Sequence, residues 1–169
     1  MPGISVVGGN VSEDAEPDTR GPVPAGADHD GDPRSMGITN LAFKVTTAET
    51  GGGLFVIEQT SHGRGGPPRH LHSEQEEWFY AVEGRFVVEV GGRAHRVGPG
   101  DSILAPRDVP HAWAFMGEGV GRLLIAFTPA GRMEAFFRAV TATRAMPTLD
   151  PELWLAHGMR VTGPPLTTA

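Results

Sequence analysis

The chain has 169 residues, is 39% hydrophobic and 20% charged, and carries 24 Gly, 15 Pro, no Cys and a formal net charge of −6. That is enough for one domain with a real core, diluted by tight turns or a polar tail. The lack of cysteine excludes disulfides and thiolate metal ligands, and an acidic chain without a Lys/Arg cluster argues against nucleic-acid or anionic-membrane partners.

In chain order, the opening "MPGISVVGGNVSEDAEPD" has neither a basic nor an apolar leader region, so no signal peptide is read there. No apolar run approaches the roughly 18 residues a membrane span needs, and the expected location is the cytoplasm. Residues 1–34 are rich in Asp, Glu, Pro and Gly, with little to bury, and are expected to be a flexible tail. A short piece, "ISVVGG", has the composition of an edge strand.

From Met36 the pattern changes. "ITNLAFKVTTA", "GGLFVIEQTS", "EEWFYAVEG", "RFVVEVGG", "RAHRVGPGD", "SILAPRDVP", "HAWAFMGEG" and "GRLLIAFTP" follow one another, separated by Gly, Pro and Asp. Short β-rich runs repeating every 8 to 12 residues or so predict an all-β sandwich or barrel, here over 35–129. Gly91-Gly92 reads as a two-residue hairpin turn. After Pro129, "AGRMEAFFRAVTA" places Met133, Phe136, Phe137 and Val140 at helical spacing. In "DPELWLAHG", Asp150 is a candidate N-cap, Pro151 the first helical residue and Gly158 the stop. Residues 130–169 are therefore expected to be a helical extension packed on the sandwich.

One stretch, "PPRHLHSEQEEWFYAVEG", concentrates metal-ligating chemistry. In a strand, His70 and His72 point to one face and can reach one point in space. Glu77 opens the next strand, and His111 opens another about 40 residues on, close enough in sequence for an adjacent strand of an antiparallel sandwich. Neutral nitrogens and an anionic oxygen suit a divalent first-row metal. Alternation puts Phe79 on the face of Glu77, and Trp113 and Phe115 on the face of His111, which makes these three the expected pocket lining. His29, His62, His95 and His157 have no partners at ligand spacing.

The spacing resembles the cupin superfamily. Its first motif, G-x5-H-x-H-x3,4-E-x6-G, is met by His70, His72, Glu77 and Gly84, with the first Gly displaced by a position. Its second, G-x5-P-x-G-x2-H-x3-N, is met by Gly100, Pro106 and His111, with Asp108 where Gly is usual and Phe115 where Asn is usual. The resemblance covers roughly residues 36–128. It implies a jelly-roll β-sandwich holding one divalent metal per chain (Fe, Mn, Ni, Co, Cu or Zn) on His70, His72, Glu77 and His111. The six-residue gap to Gly84 favours Glu77 over Glu76 as the ligand. The ending "AHGMRVTGPPL" is similar to tails of short bacterial cupins described as quercetinase-like. That likeness implies a dioxygenase acting on an enolic or phenolic small molecule such as a flavonol, with O2 as cosubstrate and Glu77 as ligand and base. The alternatives are a non-oxidative cyclase or isomerase on a polyketide-like substrate, and a small-molecule-binding cupin without catalysis. Family members commonly pair, so a homodimer is expected.

Overall fold

Alternation along the strands builds two antiparallel sheets whose inner faces form one core. The computed structural model describes residues 21–32 and 34–168. Strand β1 is Arg34–Met36, β2 Thr39–Val45, β3 Phe55–Ser61, β4 Pro68–His72, β5 Glu76–Glu83 and β6 Phe86–Val90. They are followed by β7 Arg93–Val97, β8 Ser102–Ala105, β9 His111–Phe115 and β10 Gly121–Thr128. One sheet has the order β1-β2-β3-β10-β5-β8. In it, β3 buries Phe55, Ile57, Gln59 and Ser61, and β10 buries Gly121, Leu123, Ile125 and Phe127, each strand turning every second residue inward. The second sheet carries β4, β9, β6 and β7. Both expectations, an all-β jelly roll and short C-terminal helices, hold.

Between the sheets lie Phe43, Phe55, Phe79, Phe86, Phe115 and Phe127, all essentially inaccessible to solvent. Burying a side chain of this size stabilises the fold by about 1.5–3 kcal/mol. Phe43 meets Phe55 edge-on at 5.0 Å, and Phe55 lies 6.0 Å from Phe127 in a stacked pair. The Gly91-Gly92 turn joins β6 to β7 with φ of 57° and 78°, the positive values a two-residue hairpin requires.

The tail expected over 1–34, with its candidate edge strand "ISVVGG", lies outside the described residues as far as residue 20. From Gly21 onward the chain is described, and part of it is bound to the sandwich. The Asp28 carboxylate accepts from Phe43 N at 2.9 Å and from Arg34 Nε at 3.1 Å, while His29 N donates to Phe43 O at 2.8 Å. The Arg34 guanidinium sits 4.0 Å above the Phe43 ring. This part of the stretch is held by polar bonds to β2 and not by apolar burial.

After β10, helix α1 (Met133–Thr141) buries Met133, Phe136, Phe137 and Val140, as its spacing predicts. Helix α2 (Pro151–Ala156) starts where expected: Asp150 accepts from Glu152 N and Leu153 N, with Pro151 at the first position, and the chain turns at Gly158 with φ 79°. The extension is not wholly helical, however. Met159–Pro165 form strand β11, antiparallel to β4 and paired Met159↔His72 and Val161↔His70. Gly163 and two prolines hide this strand in the sequence. They are tolerated because β11 is at the sheet edge, where the register also slips.

Candidate metal centre

His70 and His72 occupy alternate inward positions of β4 and are 4% and 1% exposed. The Ser73–Gln75 link then carries the chain to the opposite sheet, so Glu77 enters from β5 across the barrel. His111 opens β9 and pairs in register with His70. The turn before it explains one departure from the motif: Asp108, where Gly is usual, has φ 60°. Asp is among the few residues that visit this left-handed region at modest cost. Asp108 N also donates to His72 O at 2.8 Å, tying the turn to the strand of the other two imidazoles.

The four side chains converge. Glu77 Oε2 lies 2.7 Å from His111 Nε2, 3.0 Å from His72 Nε2 and 3.8 Å from His70 Nε2. The nitrogens and carboxylate oxygen offered as ligands all lie within 4.8 Å of one another. His70 Nδ1–H donates to Pro68 O at 2.8 Å and His111 Nδ1–H to Val109 O at 2.9 Å. A carbonyl only accepts, so both rings carry a proton on Nδ1 and aim Nε2 inward.

Burial pushes His70 below the ordinary histidine range, outweighing the pull of Glu77. Burial also opposes ionisation of Glu77, but hydrogen bonds with His111, His70 and His72 hold its carboxyl well below the usual carboxylate range. For His111, burial is again the largest influence, and it is outweighed by Glu77 and the Val109 carbonyl, which raise the imidazole above its ordinary value.

This donor set fits a metal ion. Inward lone pairs facing a carboxylate repel it unless a proton or a cation lies between them. His72 sharpens the point: among the described residues its buried Nδ1 has no hydrogen-bond partner, and its Nε2 faces only the Glu77 carboxylate, at 3.0 Å. A metal–nitrogen bond of about 2.0–2.1 Å sets ligand atoms about 3–4 Å apart, close to the spacing seen here. Metal binding must displace the proton that His111 retains from its raised affinity. Protons should therefore be released as the ion binds, and affinity should fall as pH drops. Calorimetric titration of the metal in buffers of different ionisation enthalpy measures the release; none at any pH between about 5 and 8 would refute the His111–Glu77 pairing.

Three of the four candidate ligands, His70, His72 and Glu77, lie on the wall of a cavity of about 1140 Å3. Of the three residues expected to line it, Trp113 does. Phe79 and Phe115 do not. Phe79 faces inward but is sealed in the core, its ring 6.2 Å from that of His111. Phe115 is at the far end of β9, 5.4 Å from Phe86, with its ring filling the space that Gly84, Gly117 and Gly121 leave open. Phe at the motif's Asn position thus plugs the barrel end. Strand alternation identifies the face correctly but not the depth along the strand.

Much of the remaining wall comes from residues outside the motifs: Phe136 of α1, Leu153 and Trp154 of α2, Met159 of β11, and Gln59 of β3. Trp154 meets His70 edge-on at 5.0 Å. The amphipathic spacing of α1 was the one available signal for this cover. Other candidates stay outside. Glu76 pairs with Arg107, and Arg69 grips Glu89 with two nitrogens while donating to Pro164 O. His62 bonds Asn40, His157 bonds the Leu153 carbonyl, and His29 lies beside Asp30 and Glu49.

Comparison with known proteins agrees with this geometry. Residues 57–127 match the family described as "Cupin domain", a span that contains all four candidate ligands. The chain carries a cupin domain. Solved structures share its fold. KdgF from a Halomonas species is 23% identical, with a TM-score of 0.51 over 60% of this chain and 88% of its own. A Thermotoga maritima protein described as a predicted oxalate decarboxylase is 14% identical, with a TM-score of 0.52 over 57% of this chain and 90% of its own. A Streptomyces protein, PAC13, solved with uridine, is 13% identical, with a TM-score of 0.50 over 79% and 84%. No curated protein matches the chain. Among the described residues, no helix of this cupin is long and apolar enough to cross a membrane.

Proposed function

We propose that this cupin is a metal-dependent dioxygenase acting on an enolic or phenolic small molecule such as a flavonol. The observation that carries the reading is the convergence of three imidazoles and the Glu77 carboxylate, with His70, His72 and Glu77 on the wall of a largely apolar cavity. His70, His72, Glu77 and His111 would hold one divalent ion, drawn from Fe, Mn, Ni, Co, Cu or Zn. Such an ion supplies Lewis acidity toward a substrate oxygen and a place for dioxygen to react.

The protein's own residues do the rest. The Pro68 and Val109 carbonyls fix two imidazole orientations. Trp113, Phe127, Phe136 and Trp154 offer flat apolar faces to an aromatic ring and exclude water from the carboxylate. Glu77 is anionic at neutral pH and so able to take the enol proton; where the imidazole nitrogens are otherwise engaged, burial is unopposed and strengthens it as a base. A cytoplasmic homodimer completes the reading.

The size of the cavity favours a second reading. At about 1140 Å3 it exceeds the usual small-ligand range, which ends near ~1,000 Å3. A larger polyketide-like substrate would fit, with Glu77 as base in a cyclisation or isomerisation that uses no oxygen. An oxygen electrode separates the two. Protein loaded with each metal in turn and given a flavonol should consume oxygen in step with flavonol loss, and Glu77→Gln should abolish this. Turnover of an enolisable substrate without oxygen uptake would favour the second reading. Binding without turnover of any tested compound would leave a binding module and sink both.

A further inference from the structure

Gln59 is a buried polar side chain on the cavity wall that the metal centre does not explain. It points inward from β3 in series with Phe55, Ile57 and Ser61, is 5% exposed, and lines the same cavity as His70, His72 and Glu77. Its cross-strand partners are Leu41 and Leu123, both buried and apolar. Its amide takes part in none of the side-chain hydrogen bonds seen among the described residues. Its amide is not among the fully enclosed polar atoms left without a partner, so it opens onto the cavity, where a leucine or methionine would fill the same space and offer a ligand no hydrogen bond.

The register shows where this amide lies relative to the metal centre. Across the sheet, Phe55, Phe127 and Glu77 form one row, and Gln59, Leu123 and Ala81 another. The rows are four residues apart along the strands, about 13 Å by strand rise. The cavity spans that interval, with Ile125 between the rows on its wall. Of the charged groups nearby, Arg64 turns to Gly117 O and Glu118, and Asp150 caps α2.

We propose that Gln59 is a substrate-positioning residue, its amide hydrogen-bonding an oxygen at the end of the ligand remote from His70, His72, Glu77 and His111. This rests on the proposed function and narrows its substrate. The ligand class is an elongated, mostly apolar aromatic molecule. It carries an enol oxygen at one end and a hydroxyl or carbonyl at the other, the amide serving as donor or acceptor. Gln59 sets which of several similar enols is held, and it touches no reacting atom.

The test uses zinc-loaded full-length protein without oxygen, titrated with 3-hydroxyflavone and with its 4′-hydroxy and 7-hydroxy derivatives, followed by flavonol fluorescence. Wild type should bind one hydroxylated derivative about tenfold more tightly than the parent, the worth of one buried hydrogen bond. That preference should vanish in Gln59→Met. Melting without ligand gives an independent reading: Gln59→Met should melt no lower than wild type, since it removes no side-chain hydrogen bond of the fold. The proposal is overturned by a preference that survives Gln59→Met, by no preference in wild type, or by a fall in melting temperature of about 4 °C or more, which would mark a structural role. Failure of the underlying function looks different: 3-hydroxyflavone itself then fails to bind, or binds His111→Ala as tightly as wild type, and both readings fall.

Discussion

His111→Ala is expected to reduce bound metal from near one equivalent per chain to a small residue. His111 is the one candidate ligand supplied by β9, and its Nε2 makes the shortest approach to Glu77, at 2.7 Å. Removing even a residue that only orients a ligand costs about 10- to 100-fold in metal affinity, and loss of a ligand itself costs at least the upper end of that range. The remaining trio also changes. Glu77 is 4% exposed and loses a partner that holds it ionised, so it binds protons more readily and competes less well for a cation. Metal analysis of purified wild type and variant, after loading and desalting, reads the outcome. Equal metal in both proteins would mean that the two halves of the site do not share one ion. The variant should still fold, since the surrounding Phe core does not pass through this position, and circular dichroism checks that.

The second large effect concerns stability. Gly66→Ala is expected to destabilise the fold by about 3 kcal/mol or more, in the range of severe overpacking. A Cβ at Gly66 would collide with the Trp113 carbonyl oxygen and stand 2.8 Å from the carbon of that carbonyl and 3.1 Å from Ala114 Cα. All of these are backbone atoms of β9, so no rotamer change relieves the clash. Neighbouring Gly65 exchanges two backbone hydrogen bonds with Phe115, at 3.2 and 2.8 Å, which holds the loop down on the strand. Relief therefore requires β9 to move away from β4, which separates His111 from His70. Metal affinity should fall together with stability. Urea denaturation measures the first effect, with Gly21→Ala as control, because nothing lies within 4 Å of a Cβ there. A shift below about 1 kcal/mol for Gly66→Ala would show that the close approach is not maintained in solution.

The sequence by itself determined the fold class and brought forward the four candidate ligands. Alternation in "LFVIEQTS" and "RLLIAFTP" requires one buried face per strand, and a strand with one buried face must pack against another layer. His-x-His is a statement about one face of one strand, and the spacing to Glu77 and to His111 is short-range information that survives without coordinates. The cap at Asp150 and the turn at Gly91-Gly92 were legible for the same reason, since each depends on a few neighbouring residues.

Only the tertiary structure decided what depends on how far along the barrel a side chain lies and on which distant segment covers it. Phe79 and Phe115 share the inward face with the ligands, yet they fill the core and the barrel end, because a face has depth that a period of two does not encode. β11 was hidden by Gly163 and its prolines, whose cost is small only at an edge that β4 happens to leave open. Trp154 reaches His70 because α2 is anchored by the chain before β11, a contact across 84 residues of sequence that no local pattern carries. Gln59, one polar side chain pointing inward from β3, acquired meaning only when the packing set it on the cavity wall shared with His70, His72 and Glu77.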